Sequence, residues 1–592
     1  MEKSQLPTPE IQVNDHLHQV TTFGTLVPLP PGPDNNDPNN FKLRTDYGNL
    51  QPELDKIDPN NLKLGTNSRI LHLEPEDRDP NDLKLGLDYC NLRELLKACQ
   101  ITHTDGFHKF WPDQLLRRAL TRERVFEELE SFRADQNTER LLWGQHIQWY
   151  LQKLFPRESS NHNTENGAEN AIEASDRARN PTLRSYIKIY ALLVLCEKQP
   201  SLKEFIDADI HDDDLPFIQC KQGRLGSFRL ALSRHQATEI SCLRSWKCTE
   251  VEQFYGFQFN VLIPYFCSST DPKAPVKDVK YTKGAIMPWI KDDLSRQERG
   301  GYGIVSCIRI HSACHGFRSL AQVKMGNGMF ALKRLISQDI KEFQNEKRML
   351  GIFSGHHDHL IMLLQSFSWN GNNFLLFPWA DCDLDRYWGK TKAPYDKVNG
   401  MNPRLMKWVS RQILGLTAGL HNIHNPAQLD SRSNMMFGRH GDLKPENILC
   451  IQPEGEQSDQ DGILVIGDLG ISATHREASR SNQPGKKIPH SPNYRPPECD
   501  LEGGIISRAF DVWTLGCLFL EMVCWILGGI DLVNEFSTAR AKVFYLGSAT
   551  NTNIFFDIQE MQGGGHVILV KQVVNSVSCS SFIYPDVESN WK

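Results

Sequence analysis

The chain has 592 residues, room for roughly three or four domains, with 66 basic against 72 acidic side chains and a net charge of −6. That balance speaks against a dedicated nucleic-acid binder and a basic membrane-docking surface, and fifteen cysteines without a C-x-x-C pair argue against a disulfide framework or zinc site. The polar start Met1-Glu-Lys-Ser-Gln-Leu-Pro7 is no secretory signal, so a soluble intracellular protein, cytoplasmic or nuclear, is expected.

Residues 1–95 are rich in Pro, Asn and Asp. They repeat Asp37-Pro-Asn-Asn-Phe-Lys-Leu43 at Asp58 to Leu64 and Asp79 to Leu85, a period of 21 residues. Such a period would suit a small solenoid, but each unit has few apolar residues with which to stack. The favoured reading is disordered repeats presenting a D-P-N-x-Φ-K-L motif to a docking partner.

From 100 to 290 the composition is globular. Leu115, Leu116, Leu120, Phe126, Leu129 and Phe132 recur at helical spacing, and a polar loop follows at Glu158 to Asn180. A second helix is expected from Thr182 to Glu197, and the aromatic stretch Phe254 to Val261 reads as a strand. This stretch has no catalytic constellation and is read as a packing or regulatory region.

Beyond 290 the motifs become dense. Arg299-Gly-Gly-Tyr-Gly-Ile-Val305 has the missing β-carbons that let backbone N–H groups approach phosphate. Phe330-Ala-Leu-Lys333 follows, and then a helix whose Phe343 and Leu350 share a face and which carries Glu346. Phe374-Leu-Leu-Phe377 reads as a buried strand running into Pro378 to Asp381; Pro378 lacks an N–H, so a backbone donor there comes from a later residue such as Ala380. His440-Gly-Asp-Leu-Lys-Pro-Glu-Asn-Ile448 then sets an acid, a base and an amide at the spacing phosphoryl transfer needs, and Asp468-Leu-Gly470 adds a second carboxylate. In that chemistry Asp442 is the base, Lys444 contacts phosphate, and Asn447 and Asp468 are oxygen ligands for magnesium. The segments from Val305 to Lys333 and from Gln452 to Gly462 read as surface loops. Gly355-His-His-Asp-His359 suggests metal only weakly. The apolar run Val512 to Ile530 is long enough for a membrane span, but it contains Glu521 and is read as a core helix.

These strings, in this order from Arg299 to Gly516, resemble the stations of eukaryotic protein kinases of the serine/threonine type. Tyr494-Arg-Pro-Pro-Glu498 resembles the close of the activation segment, and Asp511-Val-Trp-Thr-Leu-Gly516 the helix anchoring the catalytic loop. The resemblance implies an α+β bilobal fold, a small β-rich N-lobe over 291–377 and a helical C-lobe over 381–592, preceded by the mainly helical region and the repeats. It implies ATP and Mg2+, with Gly300, Gly301, Gly303 and Val305 around the phosphates, Lys333 holding nucleotide and paired with Glu346, and Ala380 at the adenine edge. Phe377 takes the gatekeeper place, Asp511 holds the catalytic loop, and His440, Leu469 and Leu350 stack in the spine linking the lobes. Lys444 and Ser491 point to serine or threonine as the acceptor in protein substrates. In style, the region before 291 is similar to segments preceding the catalytic domain in some filamentous-fungal kinases.

Three departures qualify the resemblance. Glu298 stands in place of the first glycine. Gly441 replaces the arginine that in many kinases grips an activation-loop phosphate, which implies independence from phosphorylation at Ser472, Thr474, Ser479, Ser481 or Ser491. Only 94 residues follow Glu498, so its expected arginine partner is replaced by Lys571 or Arg540 in rearranged last helices, or the chain is a truncated form. The tail Val573 to Phe582 lacks a helical stripe. A non-catalytic scaffold is the alternative function.

Overall fold

A computed structural model describes residues 91–133, 146–156, 184–220, 229–233, 239–267, 278–299, 303–335, 340–396, 398–426, 436–453, 462–469, 473–476, 493–501, 503–543, 551–561 and 565–578. The three repeats and the loop from Glu158 to Asn180 lie outside them.

The first folded stretch is helical. It comprises α1 (Leu92–Ala98), α2 (Asp113–Ala119), α3 (Arg122–Arg133), α4 (Ile147–Leu154), α5 (Ile187–Leu195), α6 (Leu202–Asp207) and α7 (Cys248–Val261). In α5 nearly every side chain is apolar and buried, so it is a central rod with α1, α2, α6 and α7 against it. Buried Asp212 satisfies its first turn, accepting from Ile189 N–H at 3.0 Å and from the Ser185 hydroxyl at 2.7 Å. The apolar run expected over 115–132 divides at Leu120 into α2 and α3. Phe126 faces outward and Val125 takes the core position.

The stretch Phe254 to Val261, expected as a strand, is the end of helix α7. Its buried residues are Val251, Phe254, Gln258 and Val261, three or four apart. Aromatic content suits either element; here the spacing decides, and Phe254 stacks on Phe205 and Phe217.

A six-stranded sheet follows, built from β1 (Asp278–Lys280), β2 (Trp289–Arg299), β3 (Gly303–Ile310), β4 (Met329–Leu335), β5 (Gln365–Trp369) and β6 (Asn372–Pro378). The order is β1-β5-β6-β4-β3-β2, antiparallel except for β1, which runs parallel to β5 at the edge. The sheet therefore begins before residue 291. One continuous apolar core runs from Leu92 through α5 and α7 to Phe330, Phe367 and Leu376.

The segment between β3 and β4, expected as a surface loop, is a correction of the same kind. It carries α8 (Ala321–Met325), buries Cys314, Phe317 and Val323, and extends the core. Gln322, 4 % exposed, donates from its amide to the carbonyls of Asp358 and Leu360 and accepts from Met362 N–H. Each polar atom of that buried amide is thereby satisfied.

Helix α9 (Ile340–Phe353) packs under the sheet. Below it lie α10 (Leu384–Lys390), α11 (Pro403–His424) and α12 (Ala509–Arg540), with a small sheet of β7 (Cys382–Asp383), β9 (Ile448–Ile451) and β10 (Ile463–Ile466). Strand β8 (Met436–Arg439) pairs with β11 (Ala473–Arg476). Together with the six-stranded sheet this is the expected α+β arrangement of two lobes. Helix α11 starts at Asn402, whose side-chain oxygen accepts from the N–H groups of Arg404 and Leu405, with Pro403 where no donor is needed. Its Gly415 faces the His359 ring, whose Nδ1 meets the Leu464 carbonyl at 2.7 Å.

Helix α12 has the length and apolarity of a membrane span, but its Phe510, Leu515, Leu518, Met522 and Trp525 are buried in the protein. Gly529, at φ 70 and ψ −164, interrupts it with a backbone conformation open essentially to glycine alone. Nineteen residues of straight helix would span about 28 Å, yet Arg540 Nη2 lies 2.6 Å from Glu521 Oε1. The chain doubles back at Gly529.

Arg540 sits between the rings of Phe536 and Phe555, and Tyr494 donates its hydroxyl to Glu521 at 2.7 Å. This overturns the expectation that Arg540 or Lys571 serves Glu498. Glu521 is the more deeply buried acid, and it takes the arginine because an unpaired charge there costs most. Lys571 donates to the carbonyls of Arg540 and Thr552. Among the described residues Glu498 has no ion-pair partner. The tail also differs from expectation, since α13 (Gln572–Ser578) forms and buries Val574.

Arg540→Met should cost about 3–5 kcal/mol by leaving Glu521 charged and buried, and Glu521→Gln added to it should recover much of the loss, both read by denaturant unfolding. Burial raises the Glu498 carboxyl above its ordinary value, so its ionisation at neutral pH opposes folding. That penalty is relieved as pH falls through the raised folded value. Glu498→Gln should therefore match or exceed the parent Tm at pH 7, with the difference closing on acidification; a lower Tm at pH 7 would place an ion pair on Glu498.

Candidate active site

Between the two lobes lies a cleft of about 310 Å³. Gly303, Val305 and Ala331 from the upper sheet line it, with Phe377 to Asp383 behind and Asn447, Leu449, Asp468 and Leu469 below. Antiparallel pairing sets this geometry, because Val305 lies opposite Lys333 and Ala331 opposite Phe377. Gly300 and Gly301 lie outside the described residues, as do Gly470 and Ser491.

Lys333, on β4, points into the cleft and meets Glu346 of α9 at 2.7 Å. Its Nζ is also 3.9 Å from Asp468 Oδ1. Both members of the first pair are largely buried, so attraction between them is screened less than on a surface. Next to Glu346, Lys347 reaches Asp278 of β1 at 2.6 Å, and Asp278 also accepts from Ser366. The helix that presents Glu346 is thus tied to the strand contributed from before residue 291.

At the back of the cleft the chain spends its donors unevenly. Trp379 N–H goes to Met329 O at 3.2 Å and Asp381 N–H to Cys450 O at 2.8 Å. Pro378 has none. Among the described residues Ala380 N–H has no partner, and Ala380 lines the cleft.

The loop around Asp442 is held from beneath by Asp511 of α12, which is fully buried. Asp511 Oδ2 accepts from His440 N–H and Oδ1 from Gly441 N–H, each at 2.8 Å, and Oδ2 lies 2.8 Å from His424 Nε2. His440 Nδ1 accepts from Asp442 N–H at 3.2 Å, so its Nε2 carries the proton and donates to Gly467 O at 2.8 Å. His440, Leu350 and Leu469 are all buried. Gly441 has φ 87, a conformation that strains any residue with a side chain. Backbone geometry, as well as charge, therefore distinguishes the position where arginine was expected.

Within the loop, Asn447 Nδ2 donates to Asp442 O at 2.7 Å and to Asp442 Oδ2 at 2.9 Å. Its amide nitrogen is committed, which leaves the amide oxygen for the cleft. Lys444 Nζ lies 3.1 Å from Asp442 Oδ2. Asp468 holds φ 46, uncommon for a residue other than glycine and typical of functional sites. Thus Lys333, Glu346, Asn447 and Asp468 line a single cleft, and Asp442, bonded to Asn447, and Lys444 beside it adjoin that cleft.

Sequence reasoning missed Cys382, Asp383, Arg386 and Glu446, which also line the cleft. Asp383 had a readable signal, since an Asp before Leu-Asp-Arg suits a helix cap, and it accepts from Arg386 N–H at 2.8 Å.

Residues 319–527 match the family model of the protein kinase domain. Serine/threonine-protein kinase SSN3 of Candida glabrata is 26 % identical over 28 % of this chain and 25 % of its own length. Cyclin-dependent kinase 8 of Caenorhabditis briggsae is 30 % identical over 38 % of this chain and 33 % of its own. Serine/threonine-protein kinase crk1 of Schizosaccharomyces pombe is 29 % identical over 28 % and 41 %, respectively. The chain thus spans between a quarter and about two fifths of these relatives. The family match begins after the glycine-rich loop and ends within α12.

Asp511→Asn should orphan at least one buried N–H of the loop and cost about 1–3 kcal/mol in urea unfolding. An unchanged midpoint would show that the loop does not depend on this carboxylate.

Proposed function

Since the chain carries a protein kinase domain of the serine/threonine type, we propose that it transfers the γ-phosphate of ATP to serine or threonine hydroxyls of protein substrates. The observation that carries this reading is the meeting of the Lys333–Glu346 pair with Asn447 and Asp468 in one cleft, with Asp442 hydrogen-bonded to Asn447 beside it. The cleft fits a nucleotide: it offers a free N–H at Ala380 and apolar walls at Val305, Ala331 and Leu449.

The donor set fits magnesium too, since the Asn447 amide oxygen and the Asp468 carboxylate are hard oxygen ligands. When bound, magnesium neutralises charge on the phosphates. Lys333, held by Glu346, binds phosphate oxygens through its ammonium group. Asp442 accepts the proton of the acceptor hydroxyl, and its hydrogen bond from Asn447 keeps the carboxylate oriented for that step. Lys444, beside Asp442, balances the carboxylate and stabilises the transferred group.

The left-handed backbone of Gly441 supports a second element of the proposal, independence from activation-loop phosphorylation. Free thiols at the described cysteines support a reducing intracellular setting. The three D-P-N-x-Φ-K-L copies support multivalent docking of a partner.

Phosphate incorporation into a generic protein substrate in Mg·ATP should fall by about 10²- to 10⁴-fold in Asp442→Asn while ATP-induced thermal stabilisation is retained. Lys333→Met should lose both. Phosphatase treatment of the parent should leave its rate unchanged. A well-folded parent showing neither transfer nor ATP-induced stabilisation would make the chain a scaffold.

A further inference from the structure

Two cysteines meet at the wall of the cleft. Cys382 is the first residue of β7, immediately after the Pro378 to Asp381 segment, and Cys450 lies in β9, just past the Asn447 loop. They are direct partners in the antiparallel register of β7 with β9. Residues so placed have Cα atoms about 4.5–5.5 Å apart, inside the roughly 4.4–6.8 Å that a disulfide spans. As directly opposed residues, they set their side chains on the same face of the strand pair. Cys382 is partly exposed and lines the cleft, whereas Cys450 is buried behind it. One thiol is accessible to a small oxidant and the other is positioned to attack the product.

We propose that Cys382 and Cys450 form a peroxide-sensitive dithiol, with Cys382 the reacting thiol and Cys450 the resolving one, closing a disulfide at the wall of the cleft. The surroundings suit this division of roles. The neighbouring Cys450 thiol and the charge of Lys390 bring the Cys382 thiol below its ordinary value against the opposing effects of burial, Asp383 and Asp381. The contact with Cys382 and burial hold Cys450 well above. A partly exposed sulfur biased toward thiolate is the one that peroxide attacks.

In the first step the Cys382 thiolate attacks hydrogen peroxide. An S–O bond forms, the O–O bond breaks, and the leaving hydroxide takes a proton to become water, giving a sulfenic acid. In the second, the Cys450 sulfur gives up its proton and attacks the sulfenic sulfur. The S–S bond forms, the S–O bond breaks, and a second water leaves. Two thiols are oxidised by two electrons and one peroxide is reduced to two waters. An external dithiol reverses the bond by exchange. The closed bond ties the residue after the Pro378 to Asp381 segment to the strand after the Asn447 loop and removes a thiol from the cleft wall.

The test uses the full chain, reduced, desalted, exposed to graded hydrogen peroxide, alkylated and digested for mass spectrometry. Expected is a Cys382–Cys450 linked peptide, formed before the exposed Cys248 is oxidised and lost on addition of dithiothreitol. In Cys450→Ser the link should be absent and Cys382 should instead be labelled by a 1,3-diketone specific for sulfenic acid. In Cys382→Ser, Cys450 should stay reduced. Saturating ATP should slow the linkage; linkage at an unchanged rate would keep the dithiol while removing nucleotide from that end of the cleft, so the two readings fail separately. Cys382 that remains reduced while Cys248 oxidises, or that links to a different cysteine, would overturn the proposal.

Discussion

The buried carboxylate of Asp511 is the point on which the site rests. Buried away from solvent, it is tolerable only because His440 N–H, Gly441 N–H and His424 surround it. Those same contacts fix the backbone that carries Asp442. The requirement to satisfy one buried carboxyl group therefore becomes a requirement on the position of Asp442, the residue after Gly441. His440 extends the coupling, since its ring is committed on one side to Asp442 N–H and on the other to Gly467 O, next to Asp468. Asp442 and Asp468 are thus connected through an imidazole with a single permitted tautomer.

A second constraint acts from above. Lys333 and Glu346 must meet across the gap between a strand and a helix, and helices that lean on a sheet can shift. Here α9 is tied to the edge strand β1 through Lys347 and Asp278, and β1 comes from the region before the glycine-rich loop. The helical region and the upper sheet also share one apolar core. The helices around α5 thus form part of the support for Lys333 and Glu346, a role no motif in them announces.

What could be read from the chain follows the physics of each feature. The strings around Lys333, Asp442 and Asp468 were legible because phosphoryl transfer demands particular side chains at fixed local spacing. Helix α5 was legible because its apolar run is continuous. Long-range choices were not. Nothing local distinguishes Glu521 from Glu498 as the partner of Arg540; that depends on a reversal at Gly529 and on relative burial. The aromatics of α7 satisfy strand and helix alike until neighbours choose a face, and Gln322 reads as an ordinary polar loop residue until its three backbone partners converge. Cys382 and Cys450 are distant in sequence and become neighbours only through strand register.

The shared core between α1 and β6 bears on how this protein can be divided. A fragment beginning at residue 291 would keep every residue named in the cleft yet lose β1, leaving β5 with an unpaired edge and stripping α5 and α7 from the back of the sheet. Phe330, Phe367 and Phe374 would then have lost one side of their packing, and the exposed strand would invite pairing with another copy. Such a fragment would be expected to self-associate rather than remain monomeric, so a cut made by sequence motif falls through the interior of the folded unit.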